Sequence, residues 1–244
     1  MVGAVPAVEG PDGSEGPHVF VTDLNAPELE DADRHHLTKV LRLRPGDVFT
    51  VADGAGGWRR CRFGAAVEAD GEVHRLGRPS PVLTVGFALV KGGRNELIVQ
   101  KLTELGIDVI QPFVAERSVV RWDPAKAAAS QPRLTRVAQE ASSQSRRVFL
   151  PEVAPARDFE AVAAPSGVVR AERGGPPAER DLTSILVGPE GGWSAAEQRL
   201  LPATVGIGPH VLRAETAAIA VGVVLAGLRF GSLSVGPGRP SEPR

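Results

Sequence analysis

Apolar positions follow two rhythms along this chain, and the change between them marks a boundary. From His18 to Leu76 they come in short runs broken by turn residues: His18 to Thr22, Val48 to Asp53, Trp58 to Phe63, and a further stretch over Ala65 to Leu76. Turns fall at Arg44-Pro45-Gly46-Asp47 and at Gly54 to Gly57. Short strands with regular turn signals predict a small β-barrel. One helix interrupts it, Ala32 to Leu41, with Asp31 as its cap and the His35-His36 pair inside. Pro79 and Pro81 close this region. From Val82 onward, apolar runs alternate with segments of helical period. Strands are predicted at Leu83 to Val90, Val109 to Val114, Val148 to Val153, Val168 to Ala171, Ile185 to Gly188 and Val205 to Gly208. Helices are predicted from Arg94 to Leu105, stopped by Gly106, and from Asp123-Pro124 to about Arg146 with an interruption at Pro132. This alternation predicts an α/β domain with a mainly parallel sheet. The expected organisation is a loose Gly-, Pro- and acid-rich stretch over 1–17, a β-barrel domain over 18–79, and an α/β domain over 80–244.

Two loops near the end of the chain stand out. Ile185-Leu186-Val187 stops at Gly188-Pro189 and continues Glu190-Gly191-Gly192-Trp193; Ile207 stops at Gly208-Pro209 and continues His210-Val211-Leu212-Arg213-Ala214-Glu215-Thr216. Each reads as a buried strand delivering a loop, and the carboxyl ends of strands are where open α/β sheets hold ligands. Gly191 and Gly192 remove side chains that would keep a ligand off the backbone, and Ser194 with Glu197 forms a capping box for a following helix. Thr216 to Phe230 is almost wholly apolar, so this helix needs cover on all sides, from its own sheet and from a partner subunit.

Composition narrows the class. With 244 residues, 42% hydrophobic and 23% charged, the chain can bury a sizeable core. No stretch is long and apolar enough for a membrane span, and the start lacks the pattern of a signal peptide, so a cytoplasmic protein is expected. Cys61 is the single cysteine, which excludes an internal disulfide and a thiolate metal cluster; the five histidines lack metal-ligand spacing, so no metal is expected. The net charge of −1 hides an uneven distribution. Basic residues gather at Arg34, Lys39, Arg42, Arg44, Arg59, Arg60 and Arg62, and again at Arg117, Arg121, Lys126, Arg133, Arg136, Arg146 and Arg147. Arginine suits bidentate phosphate contacts; the same excess of Arg over Lys also follows from a GC-rich genome, and charge runs are commonly solvated faces.

The chemistry is bounded by what is missing. No Rossmann glycine fingerprint, Walker phosphate loop or G-x-S-x-G elbow occurs, so dehydrogenase, kinase and hydrolase readings lack their machinery. Glycine-rich loops with apolar walls still suit an adenosine-bearing cofactor held by backbone groups.

Five ordered stretches carry a family resemblance. They are His36-Leu37-Thr38-Lys39-Val40-Leu41-Arg42 with Gly46-Asp47; Gln100-Lys101-Leu102-Thr103-Glu104-Leu105-Gly106; Glu116-Arg117-Ser118-Val119-Val120 with Glu140-Ala141 and Gln144-Ser145-Arg147; Leu186 to Gly192; and Gly208 to Ala217. Together they resemble the RsmE family of SPOUT RNA methyltransferases, over about residues 18–232. The resemblance implies an N-terminal PUA-like barrel and a C-terminal α/β SPOUT domain with a deep trefoil knot. It implies methylation of uridine N3 in the decoding region of 16S ribosomal RNA, on the small ribosomal subunit, with S-adenosylmethionine as cofactor and a homodimer as the assembly. By the match, Val187, Gly188, Glu190, Gly191, Gly192, Ile207, Gly208, Leu212, Arg213, Ala214 and Thr216 hold the cofactor. Arg34, Lys39, Arg42, Arg44, Arg117, Arg121, Arg146 and Arg147 are the RNA-contact candidates. The chain departs from the family at Arg170-Ala171-Glu172, where a His-Glu or His-Pro pair is usual.

Uridine N3 carries a proton at neutral pH, so methyl transfer to it needs a base and a group that stabilises negative charge spreading onto the flanking carbonyls. Arg213 is the candidate for the second role. Glu190, Glu172 and Glu215 are candidates for the first, each of which could equally be a loop cap or a structural ion pair. A non-catalytic RNA-binding protein, and a related methyltransferase acting on transfer RNA or on a ribose 2′-hydroxyl, are the competing readings.

Overall fold

The computed structural model describes residues 10–233. These form two compact units, one of residues 10–79 with 136–150 and the other of residues 80–135 with 151–233. Of the stretch expected to be loose, residues 1–9 lie outside the described residues. Residues 10–17 run beside a strand, where the Thr50 N–H donates to the Pro17 carbonyl at 2.8 Å.

The first unit is a five-stranded sheet. β1 (His18–Phe20) pairs in parallel with β2 (Val48–Ala52), which pairs antiparallel with β3 (Gly57–Arg62); β3 then takes both β4 (Glu68–Ala69) and β5 (His74–Arg75). Val19, Leu37, Phe49, Val51, Cys61 and Phe63 fill the core on one side. Burial pushes the Cys61 thiol up to about 11, so it is an inert packing group. His18 is also buried: its Nδ1 lies 2.8 Å from Thr50 Oγ1 and its Nε2 3.1 Å from the Arg147 carbonyl. A carbonyl only accepts, so Nε2 carries a proton, and burial, which lowers the pKa to about 4, keeps the ring neutral near pH 7.

The helix here differs from expectation. α1 spans Asp31–His35 and gives way to a π-helical turn over His36–Val40, ahead of Arg42 in the left-handed region at φ 59°. Asp31 is the first helical residue rather than the cap, and Glu30 at the cap position makes no side-chain bond. The wider turn, closed by the Leu41 N–H on the His36 carbonyl, accompanies complete burial of Leu37 in the core.

The second unit is a parallel sheet in the order β12-β10-β11-β6-β7-β8. Its strands are β6 (Thr84–Ala88), β7 (Val109–Val114), β8 (Glu152–Val153), β10 (Val168–Ala171), β11 (Ser184–Val187) and β12 (Thr204–Val205), with β9 (Arg157–Asp158) also on β7. The helices are α2 (Arg94–Glu104), α3 (Pro124–Gln144), whose residues from 136 onward belong to the first unit, α4 (Phe159–Ala163), α5 (Ala195–Leu200) and α6 (Ala214–Phe230). α3 runs unbroken through Pro132, whose fixed φ is helical and which removes only one backbone bond from a 21-residue helix. Asp123 caps it, its Oδ1 accepting from the Lys126 N–H at 2.7 Å. The strand expected over Val148 to Val153 shrinks to Glu152–Val153; Phe149 instead makes a single antiparallel bridge with Ala55 in the other sheet. β9 and α4, too short to leave a periodic signal, were not anticipated.

α6 packs on α2, β6 and β11. Gly222 makes this approach possible, because a β-carbon there would stand 2.7 Å from Leu102 Cδ2 and 3.0 Å from Leu105 Cδ1. At the far end of α6, Arg229 forms a buried ion pair with Asp108. The outward side of α6 remains apolar, with Val223 45% exposed. Among the described residues, no helix is long and apolar enough to cross a membrane.

Candidate functional site

β10 and β11 are neighbours, and the loops that leave their carboxyl ends face one another together with the segment after β12. Between them lies a cavity of about 220 Å³. The loop after β11 forms one wall. Trp193 anchors it: the indole is buried, stacks on Phe113 with centroids 6.2 Å apart, lies 5.5 Å from Phe159, and donates from Nε1 to the Ala171 carbonyl at 3.0 Å. Gly188 is glycine because a β-carbon would press into that indole at 2.8 Å. Gly192 sits at φ 70°, closing a tight turn in which its N–H donates to the Pro189 carbonyl at 2.9 Å. Beyond it, Ser194 and Glu197 make the expected reciprocal capping box, and the buried Glu197 carboxylate also accepts from the Glu116 N–H at 2.8 Å. The loop is thus held at both ends before any ligand arrives.

The opposite wall is shorter than the sequence suggested. β12 ends at Val205, and Ile207 and Gly208 already belong to the loop. Gly206 crosses the Gly175 backbone so closely that neither residue has room for a side chain, and the Gly206 N–H donates to the Pro176 carbonyl at 2.7 Å. After β12, at the sheet edge, the chain returns over an exposed segment through His210 to Arg213 and enters α6.

Of the residues expected at the cofactor, Val187, Gly188, Glu190, Gly192, Ile207, Gly208, Leu212 and Ala214 line this cavity. Gly191, Arg213 and Thr216 do not. A β-carbon on Gly191 would meet Arg117 Cβ and its carbonyl oxygen, each at 3.1 Å, so the protein itself leaves little room for a side chain there. Ala171, Glu172, Arg173, Pro189, Trp193, His210, Val211 and Ala217 line the cavity without having been named as cofactor residues. Their sequence signal was adjacency to the same strand ends.

The charged groups are arranged by a residue that sequence reasoning missed. Arg94, at the start of α2, points Nη1 at Glu190 (3.7 Å) and Nε at Glu215 (3.6 Å), bridging the glycine loop and the first turn of α6. Arg213, expected to pair with one of those glutamates if it were structural, pairs with neither. It is the exposed N-cap residue of α6 and makes no ion pair among the described residues. Glu172 is paired with Arg170, which is buried.

The basic candidates separate by exposure. Lys39, Arg42 and Arg44 are exposed in the first unit, as are Arg117 and Arg121 in the second. Arg34 instead donates to the Gly64 carbonyl at 2.9 Å and lies over the Phe63 ring. Arg146 and Arg147 are half-buried, Arg147 donating to the Phe149 carbonyl. Arg59 is spent on the Leu24 and Gly71 carbonyls, and Arg60 and Arg62 on Asp70.

An RNA methyltransferase domain model matches residues 78–226, and an RNA methyltransferase PUA domain model matches residues 29–67. The ribosomal RNA small subunit methyltransferase E of Synechocystis is 36% identical over 215 residues, covering 78% of this chain and 69% of that protein. The protein of the same name from Bacillus subtilis is 32% identical over 235 residues, covering 81% of this chain and 91% of its own length. The crystal structure of ribosomal RNA small subunit methyltransferase E from Neisseria gonorrhoeae bound to S-adenosyl methionine superposes with a TM-score of 0.74 at 27% identity, over 87% of this chain and 97% of that one.

Proposed function

Since the chain belongs to the ribosomal RNA small subunit methyltransferase E family of SPOUT RNA methyltransferases, we propose that it methylates N3 of a uridine in the decoding region of 16S ribosomal RNA. It is an S-adenosylmethionine-dependent methyltransferase of small-subunit ribosomal RNA. The observation that carries the reading is the cavity at the ends of β10 and β11. Two glycine-containing loops meet there over an apolar floor of Val187, Leu212, Ala214 and Ala217, a wall that suits adenosine, with polar groups at the rim.

Bound S-adenosylmethionine supplies an electrophilic methyl on its sulfonium. The protein's share is to position the uracil and to manage charge as the N3 proton leaves. Arg213 suits charge stabilisation because its guanidinium is exposed beside the cavity segment and is not committed to a carboxylate. Glu190 suits the base role better than Glu172 or Glu215. It lines the cavity and its side chain is 41% exposed, whereas Glu215 is largely buried on Arg94 and Glu172 is paired with a buried arginine. The 18–79 region would act as the RNA-binding PUA-like domain and 80–244 as the methyltransferase domain. Exposed Lys39, Arg42, Arg44, Arg117 and Arg121 would meet phosphates. A homodimer would cover the outward apolar side of α6, and Val223→Glu should yield monomers in light scattering. The cytoplasm, where ribosomes assemble, is its site of action.

The test is mass spectrometry of nucleosides from unmodified small subunits incubated with the protein and S-adenosylmethionine. 3-Methyluridine is the expected product. 5-Methyluridine or a 2′-O-methylated nucleoside would overturn the N3 assignment.

A further inference from the structure

The wall formed by Arg170-Ala171-Glu172 is held from several sides. Arg170 is 8% exposed at the end of β10. Its Nε donates to the Leu201 carbonyl at 2.8 Å and its Nη1 to Glu172 Oε2. Two more bonds hold the same strip, one from the Trp193 indole Nε1 to the Ala171 carbonyl and one from the Glu172 N–H to the Val205 carbonyl at 2.9 Å. Burying a guanidinium is costly unless it is paired, so the pairing with Arg170 restricts where the Glu172 carboxylate sits. Glu172 then lines the cavity with a 39% exposed side chain, its Oε2 held by Arg170 and its Oε1 without a hydrogen-bond partner among the described residues.

Resting on the cofactor reading above, we propose that Glu172 accepts hydrogen bonds from the ribose hydroxyls of the adenosine moiety, with Arg170 as its positioning residue. The pairing argues for hydroxyls over the ammonium or sulfonium of the ligand. A carboxylate neutralised by an adjacent guanidinium has little net field to offer a cation, yet its second oxygen keeps both lone pairs for neutral O–H donors. A ribose diol supplies two such donors, and a pre-fixed acceptor binds them without ordering a loose side chain. The strip also lies at the carboxyl end of a parallel strand, where a carboxylate on a ribose recurs in nucleotide-binding sheets.

Calorimetry with three ligands tests this on the full chain: S-adenosylhomocysteine, 5′-methylthioadenosine, which lacks the amino-acid part, and the 2′,3′-dideoxy form of 5′-methylthioadenosine. Wild type should bind the diol about tenfold more tightly than its dideoxy form. In Glu172→Ala that preference should vanish, and S-adenosylhomocysteine and 5′-methylthioadenosine should weaken by the same factor. Arg170→Met should weaken the diol ligand several-fold without affecting the dideoxy one, and should add nothing in the Glu172→Ala background. Loss confined to S-adenosylhomocysteine would place Glu172 on the amino acid and overturn the proposal, as would a wild type blind to the diol. Failure of wild type to bind S-adenosylhomocysteine at all would instead overturn the cofactor reading. Glu172→Ala changes a partly exposed side chain, so it remains informative should Arg170→Met fail to fold.

Discussion

The indole Nε1 of Trp193 donates to the carbonyl oxygen of Ala171 at 3.0 Å, tying the glycine loop after β11 to the end of β10 across the cavity floor. The ring itself is held by Phe113 and Phe159. Cavity shape is therefore coupled to the core through one side chain. Trp193→Phe keeps an aromatic ring there but deletes the donor, a loss of about 1 kcal/mol for a neutral hydrogen bond. Affinity for S-adenosylhomocysteine should fall about fivefold in calorimetry, with an unchanged circular dichroism spectrum. Undiminished binding would show that the wall does not depend on this bond.

Arg213 and Arg94 should fail in opposite ways. Arg213 is exposed and holds no carboxylate, so Arg213→Ala should bind S-adenosylmethionine within a few-fold of wild type while methyl transfer at saturating cofactor drops roughly a hundredfold. Arg94 orients Glu190 and Glu215, and Arg94→Ala should chiefly raise the cofactor dissociation constant. Equal losses of rate and affinity in both variants would erase the distinction.

Exposure sorts the arginines for RNA binding. Arg42→Ala and Arg44→Ala should each lower the slope of log affinity against log salt by about one, the loss of one phosphate contact. Arg34→Ala should leave the slope intact and lower the melting temperature, because its guanidinium is committed to the Gly64 carbonyl and the Phe63 ring. A reversed pattern in filter binding would contradict the assignment.

His18 makes the first unit acid-sensitive. Burial pushes its pKa down to about 4, below the unfolded value of 6.5. The unfolded chain then takes up the proton first, so the contribution of neutral His18 is complete above pH 6.5 and is lost as pH falls toward 4. The loss between pH 7 and pH 4.5 is roughly 2–3 kcal/mol. Urea unfolding of wild type should show that drop, and His18→Gln, which does not titrate, should show a shallower one. Parallel curves would assign the acid sensitivity to another group.

Sequence alone determined the elements whose signal is local. Alternating runs around Val48 and Trp58, the Ser194–Glu197 capping box, the Asp123 cap and the two Gly-Pro loops are all written in neighbouring residues, because propensity, capping and turn geometry act over a few positions. The two loops were legible for the same reason, and eight of the residues expected at the cofactor line one cavity. What lay beyond reach depended on partners distant in the chain. Arg94 joins Glu190 and Glu215 from about a hundred residues away, Gly191 is glycine on account of the Arg117 backbone, and Arg34 turned inward to Gly64 although it read as a phosphate contact. Pro132 stayed inside a helix that local rules would break. For the arginines and Gly191 a partner distant in the chain decided the outcome, and only the tertiary structure specifies which contacts those are.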